Sequence, residues 1–178
     1  MKYSLDKKDF IEVYDTKLYR IIAESDFSDV YKGDKGGYIE SEKNLSHSGD
    51  AWVYGDAQVY GNARVYGNAW VYGNAQVSGD AWMSGNAQVS GDAQVSGNAQ
   101  VSGNLDLIVI HNIGSRNSSL TICKQKDGSL MYATGCFYGN EDSFVKSVNN
   151  THKDNVHGKT YMAAIAMAKI MMTPKSAA

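Results

Sequence analysis

The residues that could carry out catalysis or bind a metal are few in this sequence of 178 residues. They are four histidines and two cysteines, namely His47, His111, His152, His157, Cys123 and Cys136. A histidine can serve as a general base, and a cysteine such as Cys136, in ATGCFYG, can serve as a nucleophile. The histidines lack the spacing of metal ligands, and we interpret Cys136 as a buried strand cysteine. We therefore predict no catalytic residue, no metal and no cofactor.

Aromatic side chains are the second group that could act chemically, and residues 51–104 contain all three tryptophans and four of the twelve tyrosines. This stretch reads AWVYGD AQVYGN ARVYGN AWVYGN AQVSGD AWMSGN AQVSGD AQVSGN AQVSGN, nine hexads without an insertion. A fixed short period is typical of a solenoid, in which each repeat packs on its neighbours. Since none of these hexads contains a histidine, the repeats offer a binding surface and not a general base.

The residue types within each hexad predict a short strand followed by a corner. Ala and Val or Met stand two apart, at positions one and three, and share one face of an extended backbone. Gly and Asn or Asp, at positions five and six, tolerate the positive φ of a corner. The pattern resembles the hexapeptide repeat of left-handed parallel β-helices. That resemblance implies triangular coils of three hexads, in which residues eighteen apart stack.

Stacking by eighteen predicts which side chains face inward and which face outward. One inward column consists of Val53, Val71, Val89 and Leu107. Among the outward residues, we define the aromatic wall as Trp52, Tyr54, Trp70 and Tyr72. We define the secondary surface as Tyr60, Arg64, Tyr66 and Trp82.

The outward aromatic residues are distributed unevenly along the repeats. Tyrosine occupies position four in the first four hexads, and serine occupies it in the next five. Rings that served only the stability of the coils would be spread evenly. A wall of four rings would also expose several hundred Å² of apolar surface, near the upper limit for a monomer. We therefore predict that the wall contacts another subunit, a target protein or this chain's own N-terminal segment.

The flanking segments extend this prediction to three domains. We expect a small β-rich cap in residues 1–38, a left-handed parallel β-helix of about four triangular coils in residues 39–110, and an α+β domain in residues 111–178. In the last domain a hairpin precedes two helices, and Pro174 stops the second helix. That helix, KTYMAAIAMAKIMM, is apolar around most of its circumference, so we expect it to be buried on a broad face. The predicted fold class is mainly β.

The two ends of the β-helix are predicted to be less regular than its middle. At the start, the degenerate hexads IESEKN and LSHSGD keep the six-residue register and place Ser41 and His47 at inward positions. We interpret His47 as a structural histidine at a coil end. At the other end, LDLIVIH is predicted to continue the register with Leu105 and Leu107 facing inward.

Composition excludes several classes of partner. Lys and Arg number 17 and Asp and Glu number 19, which gives a formal net charge of −2. This near balance gives no reason to expect a nucleic acid partner. No apolar run approaches the roughly 20 residues of a membrane span, and MKYSLDKKDF lacks the apolar core of a signal peptide. We expect a cytoplasmic protein whose thiols are free.

The order of the motifs resembles uncharacterised phage and prophage proteins with hexapeptide repeats, which are often described as polymer-forming. The resemblance is carried by LYRIIAESDFSDVYKGDKGGYIESEKNLS, by the WVYGDAQVYGNA repeats and by the GCFYG hairpin. It implies a non-enzymatic accessory protein, made in an infected bacterium, that binds and inhibits a host protein such as a component of anti-phage defence. Because related β-helix proteins usually form oligomers, the resemblance also implies a homo-oligomer, either a trimer or a dimer.

Two other functions are compatible with the repeats. One is an acyltransferase, because hexapeptide acyltransferases resemble this chain in fold, although they use a histidine base that the hexads lack. The other is a structural or oligomerising component of a phage particle. The host-binding protein and the particle component remain open alternatives at this stage.

Overall fold

The computed structural model describes residues 1–103 and 105–172, and the chain divides into two compact units between residues 104 and 105. Within residues 1–103 there is an N-terminal hairpin followed by a β-solenoid, and within residues 105–172 there is a small sheet with two helices. These elements confirm the prediction of a mainly β chain with two C-terminal helices. Asn104 and the predicted helix stop at Pro174 lie outside the described residues.

Residues 51–103 form nine strands of two residues each. They are β4 (Trp52–Val53), β5 (Gln58–Val59), β6 (Arg64–Val65), β7 (Trp70–Val71), β8 (Gln76–Val77), β9 (Trp82–Met83), β10 (Gln88–Val89), β11 (Gln94–Val95) and β12 (Gln100–Val101). Strands eighteen residues apart pair in parallel, in the orders β4-β7-β10, β5-β8-β11 and β6-β9-β12. The predicted stacking by eighteen is therefore confirmed. The solenoid makes about four turns when the strand β3, described below, is included.

The interior of the solenoid consists of the Ala and the Val or Met of every hexad. Val53, Val71 and Val89 are fully buried, as the inward column predicts. Burial of each valine side chain contributes about 1.5–3 kcal/mol relative to exposure. The alternation of small Ala with larger Val thus provides a continuous core.

Glycine and the residue after it build each corner. Gly73, for example, has a φ of 73°, and a Cβ there would lie 3.0 Å from the backbone nitrogen of Gly91 in the next coil. Both the positive φ and the close approach therefore favour glycine. Next to it, Asn74 Nδ2 donates to Asp92 Oδ1 at 3.0 Å, so a side-chain hydrogen bond joins successive coils at the corner.

The N-terminal segment extends one sheet of the solenoid. Strands β1 (Tyr3–Val13) and β2 (Thr16–Ala23) form an antiparallel hairpin, and β2 pairs with β3 (Lys35–Ile39). Strand β3 then pairs in parallel with β5. A Cβ at Gly36 would lie 2.6 Å from the carbonyl oxygen of Val53, so the glycine allows this close approach. A hairpin therefore covers the first edge of the coils.

The first coil has a different register from the one predicted. Ile39 pairs with Val59 and Leu45 with Val65, and both Ile39 and Leu45 are buried, whereas His47 is exposed. These partners are twenty residues apart, because the chain carries two extra residues between Leu45 and the next corner. The prediction that Ser41 and His47 face inward is therefore wrong.

The extra residues form a local turn. Ser48 donates its backbone N–H to Ser46 Oγ at 3.0 Å, and Ser46 Oγ in turn donates to Ser48 O at 3.1 Å. His47, at the centre of this turn, stacks on the ring of Tyr3 with centroids 4.2 Å apart. The histidine therefore packs at the surface of the coil end, against the cap.

Some backbone carbonyl groups of the first coil face the N-terminal cap. The N–H groups of Trp52 and Tyr54 donate to Ala69 O and Val71 O of the following coil, so the equivalent carbonyl groups of the first coil, such as Ala51 O, point toward the N-terminal end. The cap supplies donors to them: Lys2 Nζ to Ala51 O at 2.7 Å, Tyr3 Oη to Leu45 O at 2.7 Å, and Arg20 Nη1 to Gly55 O at 2.9 Å. Buried carbonyl groups without partners are costly, and these three side chains satisfy them.

The described part of the C-terminal unit contains an antiparallel sheet covered by two helices. The strands are β13 (Leu107–Ile113), β14 (Ser118–Lys124), β15 (Leu130–Thr134) and β16 (Phe137–Asn140), and the helices are α1 (Glu141–His152) and α2 (Val156–Met172). Asn140 caps α1 by accepting a hydrogen bond from the Ser143 N–H at 3.1 Å. Tyr132 of the sheet stacks on Phe144 of α1, with centroids 5.0 Å apart, and the core lies between sheet and helices.

Strand β13 overturns the predicted end of the solenoid. Leu107 pairs antiparallel with Cys123 of β14, and Leu105 is 58% exposed, so neither residue continues an inward column of the coils. The hexad LDLIVI has Val109 and Ile110 where the other hexads have Gly and Asn or Asp. Because these residues form no corner, the chain stays extended and pairs with β14. The predicted boundary between residues 110 and 111 therefore falls inside a strand.

No helix within residues 1–103 and 105–172 combines the length and the apolarity that crossing a bilayer requires.

Candidate functional site

The cap covers part of the aromatic wall. Trp52 is fully buried, and its ring packs edge-on against Tyr3 and Phe27 with centroids 6.3 and 5.3 Å away. The expectation that Trp52 lies in an exposed wall is therefore wrong, because the N-terminal segment occupies its outer side. The sequence left three possible contacts for the wall: another subunit, a target protein or the chain's own N-terminal segment. At Trp52 the contact is with the N-terminal segment.

The rest of the aromatic wall remains accessible to different degrees. Tyr54 is 52% exposed, whereas Trp70 and Tyr72 are half-buried. Trp70 pairs with Gln88 in the next coil, where the aromatic series ends. The wall is thus a narrower surface than the sequence predicts, and its role in binding stays a prediction.

An exposed contact between two aromatic rings of the solenoid belongs to the secondary surface. Trp82 and Tyr66 are 42% and 36% exposed, and their rings meet edge to face with centroids 6.1 Å apart. The guanidinium carbon of Arg64 lies 5.9 Å from the ring centroid of Trp82. We call Arg64, Tyr66 and Trp82 the third-sheet cluster, because β6 and β9 belong to that sheet. Tyr60, the other predicted residue of this surface, is half-buried and follows a strand of another sheet.

The parallel register brings the third-sheet cluster together. Arg64 and Trp82 are direct partners in β6 and β9, eighteen residues apart, and Tyr66 lies two residues after Arg64 on the same outward face. A cation over the face of a tryptophan is attracted by the ring, and the contact orders the guanidinium group. Among the described residues Arg64 forms no ion pair, so its N–H donors are available to a partner.

The solenoid itself does not require this cluster. Gln100 is the direct partner of Trp82 in the next coil, at the same position of the hexad. Ser84 likewise follows Tyr66 by eighteen residues. Since the same backbone positions accept Gln and Ser, the exposed rings are not needed to build a coil.

The histidines and cysteines do not form a common centre. Cys123 is buried, and burial raises the pKa of its thiol to about 12. His111 Nδ1 lies 2.9 Å from Ser119 Oγ, and His152 and His157 have ring centroids 5.7 Å apart. Within the part of the chain that the structure describes, no three His, Cys, Asp or Glu side chains are grouped as metal ligands.

Cys136 corrects one sequence-based interpretation. It is exposed, in the turn between β15 and β16, and not buried in a strand. The preceding Gly135 has a φ of 56°, so Gly135 and Cys136 form the two-residue connection of a hairpin. The motif TGC therefore forms a turn, and the glycine at its centre is the sequence signal that could have predicted this turn.

Comparison with known families supports the solenoid and adds no function. Residues 57–73 and 87–103 match the model described as the YdcK beta-solenoid repeat. Both segments lie within the described coils, so the chain is similar to that family in its repeats. A comparison with curated proteins found no match.

Proposed function

We propose that this protein is a non-catalytic binding protein and that the third-sheet cluster of its solenoid recognises another protein. The observation that carries the proposal is the exposed contact of Trp82 with Tyr66, beside the guanidinium of Arg64. These rings occupy positions that the coils fill elsewhere with Gln and Ser. The coils are therefore expected to form without these rings, which favours a role for the rings in contact with a partner.

The composition of the cluster favours a protein as the partner. Trp, Tyr and Arg are the residue types that most often dominate the binding energy of protein interfaces, each contributing about 2 kcal/mol or more at the centre of an interface. Arg64 can form hydrogen bonds with a carboxylate or a carbonyl group, and the rings supply apolar area. Tyr54, Trp70 and Tyr72 lie in or directly after β4 and β7, which belong to another sheet, and they form a second candidate contact area.

The finer parts of the proposal rest on the sequence resemblance. We propose that the coils are left-handed and triangular, that the protein is a phage or prophage accessory protein acting in the bacterial cytoplasm, and that its target is a host protein. Inhibition of an anti-phage defence protein is the outcome that this resemblance favours. A host target also suits a repeat surface, since solenoids present extended faces to their partners.

The test removes the cluster by copying the next coil. The double variant Trp82→Gln and Tyr66→Ser reproduces Gln100 and Ser84, so the coils are expected to stay folded. The tagged wild type and variant are used to capture host proteins, and each captured protein is then purified and its affinity measured. The matched control is Tyr14→Ser, which removes a tyrosine that is 87% exposed at the tip of the N-terminal hairpin.

The proposal predicts that the double variant loses affinity by a factor of about 30 or more, which corresponds to about 2 kcal/mol. The affinity of the Tyr14→Ser control is expected to stay unchanged. Equal affinities of wild type and double variant, with circular dichroism unchanged, would refute the assignment of the cluster as the binding surface.

A further inference from the structure

Helix α2 has two opposite apolar faces, and among the described residues one of them is covered. The covered face packs in the core of the C-terminal unit through Tyr161, Ala164, Ile165, Ala168 and Met172. The opposite face is exposed and consists of Met162, Ala163, Ala166, Met167, Ile170 and Met171. The side chain of Ile170, which belongs to this face, is 79% exposed. The helix predicted to be buried on a broad face is therefore buried on one side and open on the other.

The exposed face has the spacing of a helix-pairing surface. Lys159, Ala163, Ala166 and Ile170 follow one another at intervals of four, three and four residues. At 3.6 residues per turn this places them in one stripe, directly opposite the buried residues. Such a stripe is typical of a helix that packs on another helix. The two alanines at its centre allow an approach near the lower end of the usual distance of 8–10 Å between helix axes.

The charges of α2 select the orientation of a second helix. The helix contains no Asp or Glu, and its Lys169 is paired with Glu141 of the same chain at 2.6 Å. Lys159 lies near the N-terminal end of the stripe, and the C-terminal end of any helix carries partial negative charge. An antiparallel second copy would place Lys159 beside that negative end. A parallel copy would place the two Lys159 side chains next to each other.

The area of the face suits a reversible association. Met162, Met167, Ile170 and Met171 are 41%, 39%, 79% and 45% exposed, so together they expose an apolar patch of several hundred Å², near the largest found on monomers. Two such patches together bury on the order of 1,000 Å², which is the low end for specific protein interfaces. We propose that α2 pairs antiparallel with α2 of a second copy of this chain, with Ala163 of one copy facing Ala166 of the other.

The first test measures mass by light scattering. The wild type is expected to show twice the chain mass of 19.4 kDa at high concentration and to dissociate on dilution. Ala166→Glu is expected to be monomeric, because it places two carboxylates inside the interface. The matched control, Lys146→Glu on the exposed surface of α1, introduces the same side chain elsewhere and is expected to remain a dimer. A monomeric wild type, or a dimeric Ala166→Glu variant, overturns the proposal.

The second test fixes the orientation and does not depend on the Glu variant. In a Cys136→Ser background, Ala163→Cys and Ala166→Cys proteins are prepared separately and then mixed under mild oxidation. The antiparallel pairing predicts a crosslinked dimer in the mixture and at least tenfold less in either protein alone. Efficient crosslinking of each variant with itself would indicate a parallel pair, and no crosslinking in the mixture would exclude the contact, so either result overturns the proposal.

Discussion

Lys2 Nζ donates a hydrogen bond of 2.7 Å to the carbonyl oxygen of Ala51, at the start of the first regular hexad. The same ammonium group donates to Gly49 O at 3.2 Å and lies 4.9 Å from the ring centroid of Phe27. Lys2 is buried in the cap. Lys2 is thus one of the side chains that close this edge of the solenoid, and it does so by burying an ammonium group.

Burial makes the stability of the cap depend on pH. It lowers the pKa of Lys2 from 10.5 to about 8, and Asp50 opposes this shift only in part. Below about pH 8 the lysine is charged in both states, so the folded protein carries the full cost of the buried charge. Between about pH 8 and 10.5 the folded state loses this proton before the unfolded chain does, so this group's contribution to the free energy of unfolding rises with pH.

The measurement compares urea unfolding of the wild type and Lys2→Met between about pH 7.5 and 9.5, below the ordinary titration range of tyrosine. The difference in unfolding free energy, wild type minus variant, is expected to increase across this range. A difference that stays constant with pH would contradict the lowered pKa.

The shifted register of the first coil predicts unequal effects of two nearby substitutions. Leu45→Ala removes a fully buried side chain and is expected to cost about 2–5 kcal/mol of unfolding free energy. His47→Ala removes an exposed ring stacked on Tyr3 and is expected to cost about 0.5–1.5 kcal/mol. Thermal or urea denaturation measures both. A larger loss of unfolding free energy at His47 than at Leu45 would support the register predicted from the sequence, in which His47 faces inward.

The corners of the solenoid predict a backbone clash that an isolated turn lacks. Gly73 and Gly128 both have positive φ, at 73° and 83°, but only Gly73 has a backbone atom close to the position of a Cβ. Gly128→Ala is expected to cost about 1–2 kcal/mol from the left-handed conformation alone. Gly73→Ala is expected to cost about 1–3 kcal/mol more, since the next coil must shift. Equal costs, measured by urea unfolding, would show that the coils have free space at their corners.

The two thiols are expected to differ in reactivity. Cys136 is exposed, whereas Cys123 is buried with its pKa raised to about 12. We therefore expect a chromogenic disulfide reagent to react rapidly with one cysteine in the native protein and with both cysteines in urea. Cys136→Ser should abolish the rapid phase. A rapid phase that survives this substitution would place Cys123 at the surface.

Local residue types were enough to predict the repeats. Val53 and Val71 are buried because the hexad itself dictates a strand and a corner, whereas the stacking of residues eighteen apart was implied by the resemblance to hexapeptide repeats. The two helices also follow from local signals, whereas the Asn140 cap of α1 was not among the predictions. These features depend on residues close in sequence, where periodicity is informative.

Features that depend on distant contacts were not predictable in the same way. Trp52 has the same hexad position as Trp70 and Trp82, and only the packing of Tyr3 and Phe27 separates it from them. The displaced register at Leu45 reflects two extra residues in a segment whose hexads are degenerate. For the third-sheet cluster the sequence supplied the residues, and the structure supplied the ring contact between Tyr66 and Trp82.

The anchoring of the cap to the first coil has a consequence for how the chain winds. The last three hexads, AQVSGD AQVSGN AQVSGN, are nearly identical, so a strand displaced by six residues would bury the same Ala and Val side chains. Packing energy alone therefore distinguishes poorly between alternative windings. Lys2 and Tyr3 bind carbonyl groups that occur once in the chain, at Ala51 and Leu45. The N-terminal segment thus defines the starting point from which every later coil is counted.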